Sequence, residues 1–345
     1  MDERPMSRLL FRVLLLTFLA GCAPTPFVIA PVPLSAPASY DDAIAMAVRR
    51  QAEDDSVVVA GGRSLLLTHG TRTARVFVLL HGFTDLPEQF AAVGEHLFAG
   101  GDNVYIPRLP RHGERRSAMR SLGRTSAEEL ARFGDSSVAI ARGLGDTIIV
   151  VGLSAGGVVA ASVAQSHADV RRAVLIAPAI AAGVISADQE RGLVVLASKL
   201  PEITRTNAPM DTARSDYVQG VTTHGLAQVL WLGQLVREAS ADREPGTKDL
   251  YFLLNEADHT VSEQAALDVA QQWLDHGAHV GVYRFPASLK LQHNVMEIDA
   301  RGGNVALVFP VIEALARGTP PANVPELPRS GCGGWRCAVK RVLTP

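Results

Sequence analysis

From about residue 56 onward, apolar positions along the chain follow an alternating rhythm. Short, nearly unbroken apolar runs read as strands buried on both faces: Val76 to Leu80, Asn103 to Pro107, Thr147 to Val151, Arg172 to Ala177, Leu250 to Asn255 and His279 to Phe285. Between them lie segments with helical spacing. Residues 85–100 form one, with Asp85 and Glu88 in a capping-box arrangement and a glycine at the end; 126–144 form another, with Ser126 as cap and Glu129 three residues on. Two more cover about 262–277 and 303–317, and Asp41 to Arg50 reads as a short leading helix. Val57–Val59 and Leu65–Leu67 read as a hairpin around Gly61-Gly62. Strands alternating with helices predict an α/β fold, a mostly parallel twisted sheet with helices on both faces. Residues 179–247 interrupt the rhythm with several helical stretches and no convincing strand. Leu226, Val229, Leu230 and Gly233 share a helical face there, widened by Trp231, Leu232, Leu235 and Val236. An insertion of this kind reads as a helical cap; extra core packing is the alternative.

The strand at Thr147–Val151 runs directly into Gly152-Leu153-Ser154-Ala155-Gly156, a G-x-S-x-G sequence, and then into the small, apolar helical stretch Val158–Ala164. Ser154 therefore sits on a sharp strand-to-helix turn. Glycines suit the crowded positions beside such a turn, and the hydroxyl is lifted out of the sheet near the positive end of the helix dipole. A serine presented this way is a candidate nucleophile; a plain tight turn is the alternative.

A serine hydroxyl needs a base, and the base needs an orienting acid. In an open parallel sheet such groups lie on loops beyond the carboxyl ends of the strands. The loop after Leu250–Asn255 carries Asp258, with Glu256 as rival. The loop after Val280–Phe285 carries His293. His259 adjoins Asp258 but is expected to point elsewhere; His276 and His279 fall near element ends, and His81 and His112 in other loops. An oxyanion needs backbone donors fixed in advance. The N–H of Ala155, after the serine, is one candidate. Phe83 is the other, in the loop His81-Gly82-Phe83-Thr84-Asp85.

Taken together, His81-Gly82-Phe83, the G-x-S-x-G around Ser154, and an Asp and a His following in that order resemble the α/β-hydrolase family. Leu80 to Thr84 and the Pro107-Arg-Leu-Pro-Arg-His112-Gly113 loop are similar to bacterial carboxylesterases and monoacylglycerol lipase-like enzymes. The resemblance covers about residues 56–317. It implies an α/β-hydrolase fold with a helical cap insertion, Ser154 as nucleophile, His293 as general base and Asp258 as its partner. It also implies an oxyanion hole from the Phe83 and Ala155 N–H groups.

The N-terminus adds a different expectation. Arg4 and Arg8 precede the apolar run Val13–Ala20 and the ending Leu19-Ala20-Gly21-Cys22, which has the build of an export signal. The ending resembles the bacterial lipobox, which implies cleavage before Cys22 and lipidation of that residue; an ordinary signal peptide with a chance cysteine is the alternative. Acyl chains contribute about 0.8 kcal/mol per buried CH₂, enough when several are present to hold a protein to a bilayer. Ala23 after the cysteine favours the outer membrane by the same resemblance. Residues 22–40 hold Pro24, Pro26, Pro31, Pro33 and Pro37 and read as an extended tether, able to span roughly 50 Å. The remaining cysteines, Cys332 and Cys337, flank Gly333 and Gly334 in a tail over 321–345; they are consistent with a small disulfide loop or with two free thiols. The expected order is thus signal peptide 1–21, tether 22–40, hydrolase domain 41–320 with the cap at 179–247, and tail.

Of 345 residues, 47% are hydrophobic and 20% charged, with a formal net charge of −2. This suits a globular protein with a large core and gives no reason to expect nucleic acid as a partner. Six arginines crowd one region, Arg108, Arg111, Arg115, Arg116, Arg120 and Arg124. They read either as a solvated face or as contacts for an anionic group. The expected activity is a serine ester hydrolase acting on an apolar acyl ester such as a monoacylglycerol, with no metal or organic cofactor. An acyltransferase using the same triad, a peptidase, or a non-enzymatic lipoprotein scaffold are the alternatives. The expected setting is the bacterial envelope, with the lipid anchor in the outer membrane and the domain facing the periplasm.

Overall fold

The computed structural model describes residues 34–115, 118–183, 187–197, 199–206, 220–296 and 305–319. Cys22, Cys332, Cys337, the expected signal peptide, most of the tether and the tail lie outside these. The described chain opens on six residues without helix or strand, then α1 (Tyr40–Asp55), β1 (Leu65–Leu67) and β2 (Thr73–Leu80). A 3₁₀ turn (Pro87–Phe90) leads into α2 (Ala91–Ala99), followed by β3 (Asn103–Ile106), α3 (Ala118–Leu122), α4 (Ala127–Leu144), β4 (Gly145–Leu153), α5 (Ala155–Ser166) and β5 (Val170–Ile176). The inserted region holds α6 (Ala187–Ala197), β6 (Thr204–Thr206), β7 (Gly220–Thr222) and α7 (Thr223–Asp242). The chain then returns through β8 (Asp249–Asn255), α8 (Glu263–Asp275), β9 (His279–Phe285) and α9 (Val305–Arg317).

The sheet runs β1-β3-β2-β4-β5-β8-β9; every pairing is parallel except β1 with β3. The apolar runs are continuous because both faces are covered. Val76, Val78 and Leu80 of β2 join one core cluster with Leu130 of α4, Val158 of α5, Val229 of α7 and Leu267 of α8. Phe77 and Leu79 join the other, with Val93 and Leu97 of α2 and Val308 and Ile312 of α9. Each fully buried Leu or Phe contributes about 1.5–3 kcal/mol. The indole N–H of fully buried Trp273 is satisfied within this core, donating to Gln165 Oε1 at 2.7 Å.

Several expectations are corrected. Val57–Val59 is not a strand of a hairpin with β1. Helix α1 continues to Asp55, and the valines bond instead to the loop after β3, Val59 N–H to the Gly113 carbonyl at 2.8 Å and Arg115 N–H to the Val57 carbonyl at 2.9 Å. β1 pairs with β3, Leu65 opposite Ile106. The expected single helix over 85–100 is a 3₁₀ turn followed by α2, and Asp85 does not cap it. Its Oδ1 accepts from Leu86 N–H, and its Oδ2 turns to the Gln89 amide at 2.8 Å. The inserted region contains a two-stranded ribbon, β6 with β7, too short for its pattern to be read in sequence. Helix α7 is divided in use. Val229, Leu232, Leu235 and Val236 belong to the main core, whereas Ala227 and Leu230 pack with Val194 of α6 in a separate small cluster. No helix among the described residues is long and apolar enough to cross a membrane.

Candidate active site

Ser154 joins β4 to α5 with φ 55° and ψ −111°. A side chain at positive φ costs energy and persists only where surrounding bonds impose it. Three do so here. Ser154 N–H donates to the Ile176 carbonyl at 2.9 Å, and the Ser154 carbonyl accepts from Val158 N–H at 2.9 Å and Ala179 N–H at 3.0 Å. The glycines are required by contact rather than by dihedral. A Cβ on Gly152 would fall on the Gly156 carbonyl, and one on Gly156 would fall on the Leu80 and His81 carbonyls. That second approach sets the serine turn directly beside the end of β2 and the loop carrying Phe83.

The structure brings Ser154, His293 and Asp258 together from three separate loops. Ser154 Oγ lies 2.8 Å from His293 Nε2, and His293 Nδ1 lies 2.7 Å from Asp258 Oδ2. The carboxylate can only accept, so Nδ1 carries the proton and Nε2 is left to accept from the serine hydroxyl. The Asp258 side chain is 5% exposed and that of His293 21%. Burial would raise the Asp258 carboxyl, but the His293 hydrogen bond and charge and the Thr260 and Val261 N–H groups outweigh it, leaving it below its ordinary value. The rival Glu256 is occupied elsewhere, with Arg284 and the Ala287 N–H. His259 is exposed, His276 meets the Ala241 carbonyl, and His279 pairs with Asp249.

Asn255, at the end of β8, was not singled out by sequence pattern. It is 3% exposed; its Nδ2 donates to the Leu291 and Gln292 carbonyls at 3.0 and 3.2 Å, and its Oδ1 accepts from Ala257 N–H at 3.1 Å. One amide thus holds both the loop of Asp258 and the loop of His293. A polar residue ending an otherwise apolar strand is the sequence signal by which it could have been found.

The candidate oxyanion donors lie on either side of this arrangement. Among the described residues neither Phe83 N–H nor Ala155 N–H donates a hydrogen bond, although Ala155 is fully buried. The peptide preceding Phe83 is held by its carbonyl. Gly82 O accepts from His81 Nδ1 at 2.9 Å and from Asp85 N–H at 3.2 Å. In a trans peptide the N–H points away from the carbonyl, so holding Gly82 O fixes the direction of Phe83 N–H. His81 donates from Nδ1 and accepts Leu109 N–H at Nε2 at 3.0 Å, the pattern of a neutral ring. Its pKa is accordingly held well below the usual histidine value, first by burial and then by His112.

The arginine group divides. Arg108 is a structural tie, bonded to buried Asp54 at 2.7 Å and to the His112 carbonyl at 2.9 Å. Arg111 pairs with Glu129 at 2.8 Å. Arg111 and Arg124, with Arg50 and Arg132, line a concavity of about 570 Å³ that includes no residue of the Ser154–His293–Asp258 group. Arg116 lies outside the described residues. Among those described, no group of three or more His, Cys, Asp or Glu side chains is placed to hold a metal ion.

Comparison with known proteins agrees with this architecture. A thermostable monoacylglycerol lipase from Bacillus sp. (strain H-257) is 33% identical over 118 residues, 31% of this chain and 44% of that protein. The match therefore spans less than half of the relative's length. The monoacylglycerol lipase of Paleococcus ferrophilus superposes with a TM-score of 0.55 at 17% identity, covering 74% of this chain and 98% of that one. A soluble variant of the monoglyceride lipase of Saccharomyces cerevisiae gives 0.57 at 11% identity, over 74% and 90%. The model of the alpha/beta hydrolase family matches residues 77–328, well over half of the sequence, and the chain belongs to that family.

Proposed function

We propose that the protein is a serine ester hydrolase acting on an apolar acyl ester such as a monoacylglycerol. The observation that carries this reading is the hydrogen-bonded series Ser154 Oγ–His293 Nε2 at 2.8 Å and His293 Nδ1–Asp258 Oδ2 at 2.7 Å, with the serine held at positive φ. Ser154 Oγ attacks the acyl carbonyl carbon while its proton passes to His293 Nε2. The carbonyl oxygen becomes an oxyanion facing the Phe83 and Ala155 N–H groups. Collapse breaks the ester bond, and the imidazolium returns the proton to the departing alcohol. Water, deprotonated by the same histidine, then attacks the acyl-enzyme and releases the acid. Asp258 stays ionised throughout, fixing the ring and balancing the imidazolium.

An apolar substrate is supported by the inserted region. Leu193, Leu196, Leu200, Ile203 and Leu226 all lie there and are all exposed. The two monoacylglycerol lipase structures and the Bacillus relative point to the same substrate class. The test is a chain-length series of p-nitrophenyl esters. Medium-chain esters are expected to exceed the acetate in kcat/KM, with Ser154→Ala lowering kcat by about 10⁴-fold or more. Equal rates for wild type and Ser154→Ala contradict the mechanism; a flat or falling series contradicts the substrate class. Sequence also supports export, lipidation at Cys22, an outer-membrane anchor facing the periplasm and a Cys332–Cys337 disulfide, which we propose as the setting of the enzyme.

A further inference from the structure

Two loops must be placed relative to each other for this chemistry: the loop after β2, with Phe83, and the loop after β9, with His293. Their strands are not neighbours. Sheet order places β4, β5 and β8 between β2 and β9. Registration through the sheet alone would accumulate the slack of four strand pairings, whereas a misplacement of about 1 Å at a reacting centre costs about 10²-fold in rate.

A direct link spans the gap. Gln89, in the turn after Phe83, accepts Gly82 N–H at its Oε1 at 2.9 Å. Its Nε2 donates to Asp85 Oδ2 at 2.8 Å and to Asn294 Oδ1 at 3.1 Å. Asn294 Nδ2 donates back to Asp85 Oδ2 at 3.3 Å, and Asn294 Oδ1 also accepts Met296 N–H at 3.2 Å. The residues held are the immediate neighbours of the working groups: Gly82 precedes Phe83, and Asn294 follows His293.

The network has one arrangement. Asp85 as a carboxylate offers no proton, so both amides must turn their NH₂ groups toward it. That leaves Gln89 Oε1 toward Gly82 N–H and Asn294 Oδ1 toward Gln89 and Met296. Flipping either amide would set oxygen against oxygen and leave a donor unmatched. We propose that Gln89, Asp85 and Asn294 form a clamp locking the oxyanion loop to the histidine loop, with Gln89 and Asn294 as positioning residues for the reaction. This rests on the serine-hydrolase reading, and its role is to keep Phe83 N–H and His293 Nε2 in one fixed relation to Ser154.

The test is steady-state kinetics on a medium-chain p-nitrophenyl ester, with Gln89→Leu, Asn294→Ala and the double variant, run well below their melting temperatures. Each single variant is expected to lose about 10- to 100-fold in kcat with KM within about twofold, because the lost interaction bears on the transition state. The double variant should be scarcely slower than either single one, as expected for one unit. Gln89→Glu keeps the shape and the Gly82 acceptor but cannot donate, and should fall with Gln89→Leu; it serves in its place if the leucine variant does not fold. Values of kcat within about threefold of wild type, a loss confined to KM, or single effects that simply multiply would each overturn the clamp. Ser154→Ala run alongside separates the two claims: full activity in that variant removes the serine-hydrolase reading itself, whereas an inactive Ser154→Ala beside a normal Gln89→Leu removes only the clamp.

Discussion

Ser154 shows how a single residue is prepared for chemistry. A non-glycine residue at φ 55° carries strain of about 1–3 kcal/mol, and its backbone is held there by Ile176, Val158 and Ala179. Asp258 is prepared electrostatically, since its hydrogen bonds keep it ionised despite burial. His112 is a third case, with a consequence for stability. It is fully buried, its Nδ1 meets the Pro110 carbonyl at 2.8 Å, its Nε2 has no partner among the described residues, and its ring stands edge-on to Phe83. Burial chiefly, with Arg108 nearby, pushes its pKa down from 6.5 to about 4 against the opposing pull of the Pro110 carbonyl. Between those values the unfolded chain binds the proton and the folded one does not, so stability falls as pH drops from about 6.5 toward 4. The loss through this one group is on the order of 3 kcal/mol. Urea unfolding across that range should show the slope, and His112→Asn, which preserves a donor to Pro110, should flatten it. His81 contributes in the same direction, so some slope remains. Identical slopes in the two proteins would contradict this account. Ser154, Asp258 and His293 were legible in sequence because each follows an apolar run ending a strand. Gln89 and Asn294 were not, because a loop amide looks the same whether it meets water or a partner some 200 residues away.

At the scale of elements, the turn between β4 and α5 depends on Gly156. Its missing side chain lets the helix start approach the Leu80 and His81 carbonyls. Gly156→Ala is expected to destabilise the fold by about 1–3 kcal/mol and to lower activity together with stability, because the displaced backbone carries Phe83 on one side and Ala155 on the other. Paired thermal melts and ester assays check this; a variant with wild-type melting and turnover would show that the approach is slack. Element boundaries were readable where local chemistry agreed with tertiary packing. Ser126 caps α4 through Glu129 N–H at 3.1 Å, as its sequence signature predicts. The signature at Asp85 failed because its carboxylate is taken by the adjacent Leu86 N–H and the Gln89 amide instead. Val57–Val59 failed because strand-like composition cannot name a pairing partner, and the ribbon of β6 and β7 is too short to show a period.

For the whole molecule, the parallel sheet is the organising device. Because β2, β4, β8 and β9 all run in one direction, the loops bearing Phe83, Ser154, Asp258 and His293 emerge at one edge. Topology brings together residues separated by 139 positions, Ser154 and His293. Alternation of strands and helices made this legible in sequence. The split use of α7, half core and half packed on α6, was not, since both halves present apolar faces. The proposed anchor belongs to this scale too. Arg4, Arg8, the apolar run Val13–Ala20 and Cys22 predict that globomycin, which blocks lipoprotein signal cleavage, causes the precursor to accumulate in cells. Unchanged processing would argue against lipidation at Cys22.

The central claim is that Ser154 is the nucleophile of a hydrolase. A fluorophosphonate probe reacts with an activated serine and leaves a covalent adduct that peptide mass spectrometry can locate. The account predicts one adduct, on Ser154, formed in the folded protein and absent from Ser154→Ala. No labelling of the folded wild type, or an adduct formed equally in Ser154→Ala, would contradict it.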